Sequence, residues 1–196
     1  RELIYAPFNS TEAQDYFAAM AAASNYAWAN RHMIGHWVRE AWQEVVGENV
    51  HLTTVYDVSH NIGKVETHEV DGKKKQLIMH RKGATRAFGP GRPELPKKYQ
   101  SVGQPVLIPG TMGTASYVLA GTKESMNVAF GTSCHGAGRR MSRAKAKKSV
   151  RGSVLREQLE HRGIIIRSDS DPGLAEEAPL AYKDVDNVVN VVHGAN

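Results

Sequence analysis

Between Thr11 and Val46 apolar side chains return at helical spacing: Tyr16, Met20, Ala23, Ala27, Ile34, Trp37, Ala41 and Val45. A single helix of that length is a rod of about 54 Å, longer than most small domains are wide. Whatever else the chain forms has to be arranged around it. Ser10 and Thr11 are candidate caps, and Thr11 with Gln14 fits a capping box. Gly47 is the expected stop, and Gly35 the expected place for a bend. Ala18, Ala19 and Ala21 to Ala23 permit close packing, so the helix reads as scaffold. His32 and His36 stand four apart on it, a spacing that can hold a metal. Met33 replaces the glutamate that a zinc protease places after its first histidine, and two polar residues on a half-exposed face are the commoner reading.

After the helix the period changes. Val50 to Tyr56 is β-branched and alternating, which predicts a strand ending near Asp57, Ser59, His60 and Asn61. Val65 to Val70 and Lys75 to His80 predict two strands joined at Asp71-Gly72, a hairpin signal. Gly89 to Gln104 reads as a long exposed loop. Pro105 to Ile108, Ala115 to Ala120, Asn127 to Phe130 and Ile164 to Ile166 predict further strands. Ser142 to Val150, Ser153 to His161, Ala178 to Asp184 and Val185 to His193 predict helices. The sum is an α+β fold of packed mixed or antiparallel sheets with flanking helices, in one domain over residues 1–196. No repeat, low-complexity segment or dividing linker is present.

The chemistry concentrates in short glycine-rich blocks. Cys134-His135-Gly136-Ala137-Gly138-Arg139-Arg140 puts an imidazole before a tight turn, with arginines after it. Backbone N–H groups and guanidinium groups at such a turn can receive an anion. An imidazole beside a phosphate can be a nucleophile, a proton donor or a metal ligand. Alone, the block reads more readily as a surface turn before a basic helix. Pro109-Gly110-Thr111-Met112-Gly113, with Ser116 three residues on, is a second stretch able to wrap a ligand. Arg81, Lys82 and Arg86 cluster about Gly83, as a solvated basic turn or as a clamp on phosphates.

The net charge of +5 favours a polyanionic partner, and its distribution says more. Arg139 to Arg151 holds seven positive residues and no acid, whereas Asp169 to Asn196 holds six acids against Lys183 alone. A single cysteine, Cys134, excludes an internal disulfide and suits a reducing compartment. No apolar run is long enough to span a bilayer. A soluble cytoplasmic protein is the expectation.

Four blocks, Val58-Ser59-His60-Asn61-Ile62, His80 to Ala87, Pro109 to Tyr117 and Cys134 to Arg143, stand in the order and at about the spacing of RtcB-type RNA ligases. The chain resembles the C-terminal part of such a ligase over nearly its whole length, so an incomplete RtcB-like catalytic domain is expected. The resemblance implies a GTP- and manganese-dependent enzyme that joins RNA 2′,3′-cyclic-phosphate or 3′-phosphate ends to 5′-hydroxyl ends, in tRNA splicing or RNA repair. It implies that His135 takes GMP from GTP as a covalent intermediate. It makes His60 a manganese ligand and Asn61 a nucleotide contact. Pro109, Gly110, Thr111, Met112 and Ser116, with Gly136, Ala137 and Gly138, would line the nucleotide, and Tyr182 would lie near the guanine. From the residues alone, His60 reads as a hydrogen-bonded loop histidine and Tyr182 almost as well as a core tyrosine.

The implied partners are RNA, GTP, an archease-type activator and the N-terminal part of the same protein, where the family's other manganese ligands lie. Arg81, Arg86, Arg139, Arg140 and the helix from Arg143 to Arg151 are the expected RNA path. The 196 residues alone are expected to be inactive. A nucleotide- or RNA-binding chain without catalysis is the alternative; a purely structural RNA binder fits less well, because aromatic residues for stacking are only 7%.

Overall fold

Ser10 opens the long helix by accepting a hydrogen bond from the Ala13 N–H at 3.3 Å. The capping box expected at Thr11 does not form, because the cap lies one residue earlier and the Gln14 amide turns back to donate to the Phe8 carbonyl. The computed structural model describes residues 4–194. Its elements are α1 (Thr11–Val46), β1 (Asn61–Val70), β2 (Lys73–Lys82), β3 (Ala84–Arg86), β4 (Pro105–Ile108), β5 (Tyr117–Ala120), α2 (Lys123–Ala129), β6 (Thr132–Cys134), α3 (Arg143–Ser149), α4 (Gly152–Glu160), α5 (Asp171–Glu176) and α6 (Val185–Gly194). They fall into two compact units, one ending at Lys82 and one beginning at Gly83. The mixture of helices with small antiparallel ribbons is an α+β fold. No helix among the described residues is long and apolar enough to cross a membrane.

In the first unit α1 runs unbroken through Gly35 and stops at Gly47, and none of its residues is buried. The segment after it is not the expected strand. Among the described residues Val50 to Tyr56 forms no strand; side chains of α1 hold it instead. Arg39 donates to the Leu52 carbonyl at 3.1 Å and to Thr54 at 2.7 Å. Arg31 grips Asp57 through two bonds of 2.8 and 3.2 Å. The alternation that suggested a strand therefore marks an extended segment. The hairpin forms as expected and is longer. β1 and β2 pair from Asn61↔Lys82 to Val70↔Lys73. Asp71 and Gly72 both take positive φ, 55° and 69°, the turn that matches the twist of paired strands.

One buried charged group lies in this hairpin. Arg81 donates two bonds to Glu66, of 2.7 and 2.9 Å, and His68 meets the same carboxylate at 2.9 Å. Burial alone would raise the Glu66 carboxyl; the Arg81 and His68 contacts outweigh it and hold the group below its ordinary value.

The second unit is built from two more ribbons, β3 with β6 and β4 with β5, and five short helices. The strand expected at Asn127 to Phe130 lies in α2, which Thr122 caps by accepting from Ser125 at 3.1 Å. Ile164 to Ile166 forms no strand among the described residues; the Ile164 N–H donates to the Leu159 carbonyl at 3.0 Å instead. Ile166 is buried against Leu155 and Leu159 of α4, Leu174 of α5 and Ala178, so burial rather than pairing explains the apolar triplet. Full burial of each such side chain stabilises by about 1.5–3 kcal/mol. The helix expected over Ala178 to Asp184 shrinks to a 3-10 turn, Pro179–Ala181. A second cluster of Ala87, Val106, Ile108, Ala137 and Val185 packs the β4–β5 ribbon beneath the turn that follows β6.

Candidate active site

His135 follows β6 directly. The β3–β6 register pairs Ala84 with Cys134, which brings Gly83 opposite His135. The imidazole lies against that glycine: a β-carbon on Gly83 would stand 3.5 Å from Cδ2 and Nε2 of the ring. Gly83 also has φ +68°, a conformation that side chains of L-residues rarely adopt. The sequence marked Gly83 as the centre of a basic turn; its role as the floor under an imidazole emerges only from the pairing.

Two other blocks meet the same turn. The Ala137 N–H donates to the Pro109 carbonyl at 3.2 Å, which fastens the Pro109–Ser116 loop to the turn. Within that loop, Gly110 N–H donates to Ser116 Oγ at 3.2 Å and Thr111 N–H to Thr114 Oγ1 at 2.6 Å. These hydroxyls shape the loop from within. Met112 points another way and packs with the α4–α5 cluster. On the far side of the turn, Lys183 N–H donates to the Gly138 carbonyl at 2.9 Å and Arg140 N–H to the Ala181 carbonyl at 2.9 Å. Arg139 and Tyr182 thereby form an antiparallel bridge. Gly138 is exposed, with φ +73°, and a β-carbon there would meet nothing within 4 Å. So His135, Gly136, Ala137, Gly138, Pro109, Gly110, Thr111, Ser116 and Tyr182 come together in the second unit.

His60 and Asn61 belong to the first unit. Both are exposed, His60 just before β1 and Asn61 opposite Lys82 at the open end of the hairpin. No group of three or more His, Cys, Asp or Glu side chains able to hold a metal occurs among the described residues. His60 therefore belongs to no such group among the described residues. On α1, His36 faces Glu40 at 3.3 Å, an exposed helix-surface pair.

The expected RNA path needs correction. Arg81 is buried, 3% exposed, and spent on Glu66. Arg86 is half-buried, bonded to Gln104 at 3.0 Å and stacked on Phe88 at 4.6 Å. Arg140 donates to the Leu180 carbonyl. Arg139 donates to the Met141 and Glu176 carbonyls, to Glu177 and to the Tyr182 hydroxyl. Arg143 and Lys147 face Glu176 and Glu177. Lys145, Lys148 and Arg151 have no acidic partner among the described residues.

Glu177 is the residue that sequence reading missed. Its carboxylate receives the Tyr182 hydroxyl, Arg139 and Arg143. The Tyr182 hydrogen bond above all, then the two guanidinium groups, hold it below its ordinary value against the opposing effect of burial. Tyr182 is raised, by burial first and then by Glu177. The only signal in the sequence was the acidic C-terminal stretch opposite a basic run.

A family model for tRNA-splicing ligase RtcB matches residues 1–196. The chain is similar to the tRNA-splicing ligase RtcB of Archaeoglobus fulgidus, 59% identical over 100% of this chain and 41% of the relative. It is 60% identical to that of Thermococcus kodakarensis with the same coverage. To that of Nanoarchaeum equitans it is 54% identical over 98% of this chain and 41% of the relative. The chain thus spans about two-fifths of the length of these curated relatives.

Proposed function

Since the chain belongs to the tRNA-splicing ligase RtcB family, we propose that it supplies the nucleotide-accepting half of an RNA-joining site, with His135 as nucleophile. The observation that supports this reading is that the Pro109 loop and the Tyr182 segment are both hydrogen-bonded to the turn that directly follows the half-buried His135. A ring nitrogen of His135 attacks the α-phosphate of GTP, and pyrophosphate leaves with the bonding electrons. The imidazole rests against Gly83, which limits how the ring can turn. Exposed Gly138 leaves room for a ligand to approach the backbone. The guanylate then passes to an RNA 3′-phosphate derived from a 2′,3′-cyclic phosphate, and a 5′-hydroxyl displaces GMP.

By the family resemblance His60 is a proposed manganese ligand and Asn61 a proposed nucleotide contact, and manganese would supply charge neutralisation at the phosphates once its remaining ligands are provided. RNA, GTP and an archease-type activator are the proposed partners. The 196 residues alone are expected not to join RNA, because His60 by itself cannot fix a metal and its triphosphate in line with His135. The test is ligation of a 5′-hydroxyl RNA to a 2′,3′-cyclic-phosphate RNA with GTP and manganese. The protein extended to the length of its relatives should join the ends and the 196-residue chain should not. Absence of joining by the extended protein would overturn the reading.

A further inference from the structure

Two of the six acids of the C-terminal stretch, Glu176 and Glu177, are half-buried rather than solvated. Glu176 and Glu177 close α5 against the basic run, and between them they touch Arg139, Arg143 and Lys147. Three cations against two carboxylates leave one positive charge in excess. The members differ in how deeply they are held. Arg139 has 23% of its side chain exposed and uses its donors on two carbonyls, Glu177 and Tyr182. It is a fastener between the Gly136–Gly138 turn and the strand-like segment at Tyr182. Arg143 is 67% exposed and, among the described residues, pairs at one edge with the two glutamates, its Nε 3.3 Å from Glu177 and 3.7 Å from Glu176. Its remaining guanidinium edge is available to an anion.

Held by a carboxylate from behind, a guanidinium keeps one orientation instead of sampling many rotamers, so less entropy is lost when it binds. We propose that Glu177 is a positioning residue: it orients Arg143 toward a phosphate group and locks Arg139 and Tyr182 beside the His135 turn. The proposal rests on reading that turn as a phosphate-handling site. The ligand chemistry is a phosphate carrying two negative charges. It could belong to the nucleotide or to an RNA end, and the two are separable by experiment. A carboxylate that merely competes with phosphate for these cations predicts the opposite sign, since its removal would tighten binding.

The variants are Glu177→Gln, which keeps shape and loses charge, and Glu177→Asp, which keeps charge. Glu157→Gln, at an exposed glutamate of α4 remote from the network, is the control. Three probes are titrated at fixed salt: GTP, an oligoribonucleotide ending in a 3′-phosphate, and the same oligonucleotide ending in a 3′-hydroxyl. Glu177→Gln should weaken one phosphate-bearing probe about five- to tenfold and leave the 3′-hydroxyl oligonucleotide within about twofold. Glu177→Asp should recover at least part of the loss. The probe that weakens identifies the phosphate.

The ¹⁵N-resolved Nε–H signal of Arg143, which donates to Glu177 at 3.3 Å, gives a reading independent of any ligand. It should exchange faster with water in Glu177→Gln than in the unaltered chain. If the unaltered chain binds neither phosphate probe, the functional reading of the turn fails and this signal alone decides whether Glu177 holds Arg143. Equal protection in both proteins overturns the proposal, as does tighter phosphate binding by Glu177→Gln. Should Glu177→Gln not fold, Glu177→Asp decides: a shorter arm must still displace the Arg143 signal.

Discussion

His135 and Gly83 meet ring against backbone, 3.5 Å from where a β-carbon would sit. This contact joins two blocks that lie more than fifty residues apart in sequence. Gly83→Ala should therefore act through the backbone. The positive φ costs about 1–2 kcal/mol of stability, visible as a lower melting temperature. The new methyl stands 3.5 Å from the imidazole, an ordinary van der Waals contact, so guanylate transfer to His135 should fall no further than the loss of fold explains. Loss of labelling in a folded Gly83→Ala protein would show that the left-handed turn itself places the ring.

His135→Ala should abolish covalent labelling by GTP in a protein extended to the length of its relatives. The adduct should be labile in acid and stable in alkali, as phosphoramidates are. Cys134→Ala should keep a substantial fraction of labelling, because Cys134 packs on the Ala87–Val106–Ile108 cluster. Labelling that persists without His135 places the nucleophile elsewhere.

Arg81→Ala leaves Glu66 and His68 buried without their guanidinium and should destabilise the hairpin by about 3–5 kcal/mol. Denaturant titration measures this. Loss of RNA affinity in that variant should follow loss of fold, since Arg81 is not on the surface.

Acid should expose the same network. The Glu66 carboxyl is held below its ordinary value of 4.5 in the folded chain. Its contribution is therefore fully present above that value and is lost as pH falls through the lowered one. The melting temperature should drop more steeply below about pH 4 in the unaltered chain than in Glu66→Gln, compared at matched ionic strength.

Charge reversal at Lys145, Lys148 and Arg151 should flatten the salt dependence of RNA binding, by about 0.7 in slope for each single-strand phosphate that is no longer neutralised. Reversal at Lys147 should change it less, because Lys147 already faces Glu176 at 2.6 Å. An unchanged slope in the triple variant makes α3 a solvated surface.

Local periodicity located α1, α3, α4, α6 and the Asp71-Gly72 hairpin, because spacing and turn chemistry are properties of neighbouring residues. It failed where a β-like pattern forms no ladder among the described residues. Val50 to Tyr56 and Ile164 to Ile166 have strand composition, but one is pinned to α1 by arginines and the other is packed under α4. Glycine and histidine density marked the turn at His135 and the Pro109 loop. It could not show that Arg81 turns inward, because burial depends on Glu66, fifteen residues back in the chain. Nor could it find Glu177, whose meaning lies in Arg139 and Tyr182.

A helix of 36 residues with none buried has little tertiary packing to make its opening all-or-none. Its amide protons should exchange as those of a helix in water do, fastest at both ends and slowest near the middle, with protection rising smoothly along the rod. The amides of β4, by contrast, should open together with the cluster that buries Val106 and Ile108. One chain would then show two kinds of protection, a gradient in α1 and a plateau around β4. Any molecule that settles along α1 would turn its gradient into a second plateau, so exchange rates along that one helix report when the rod has gained a companion.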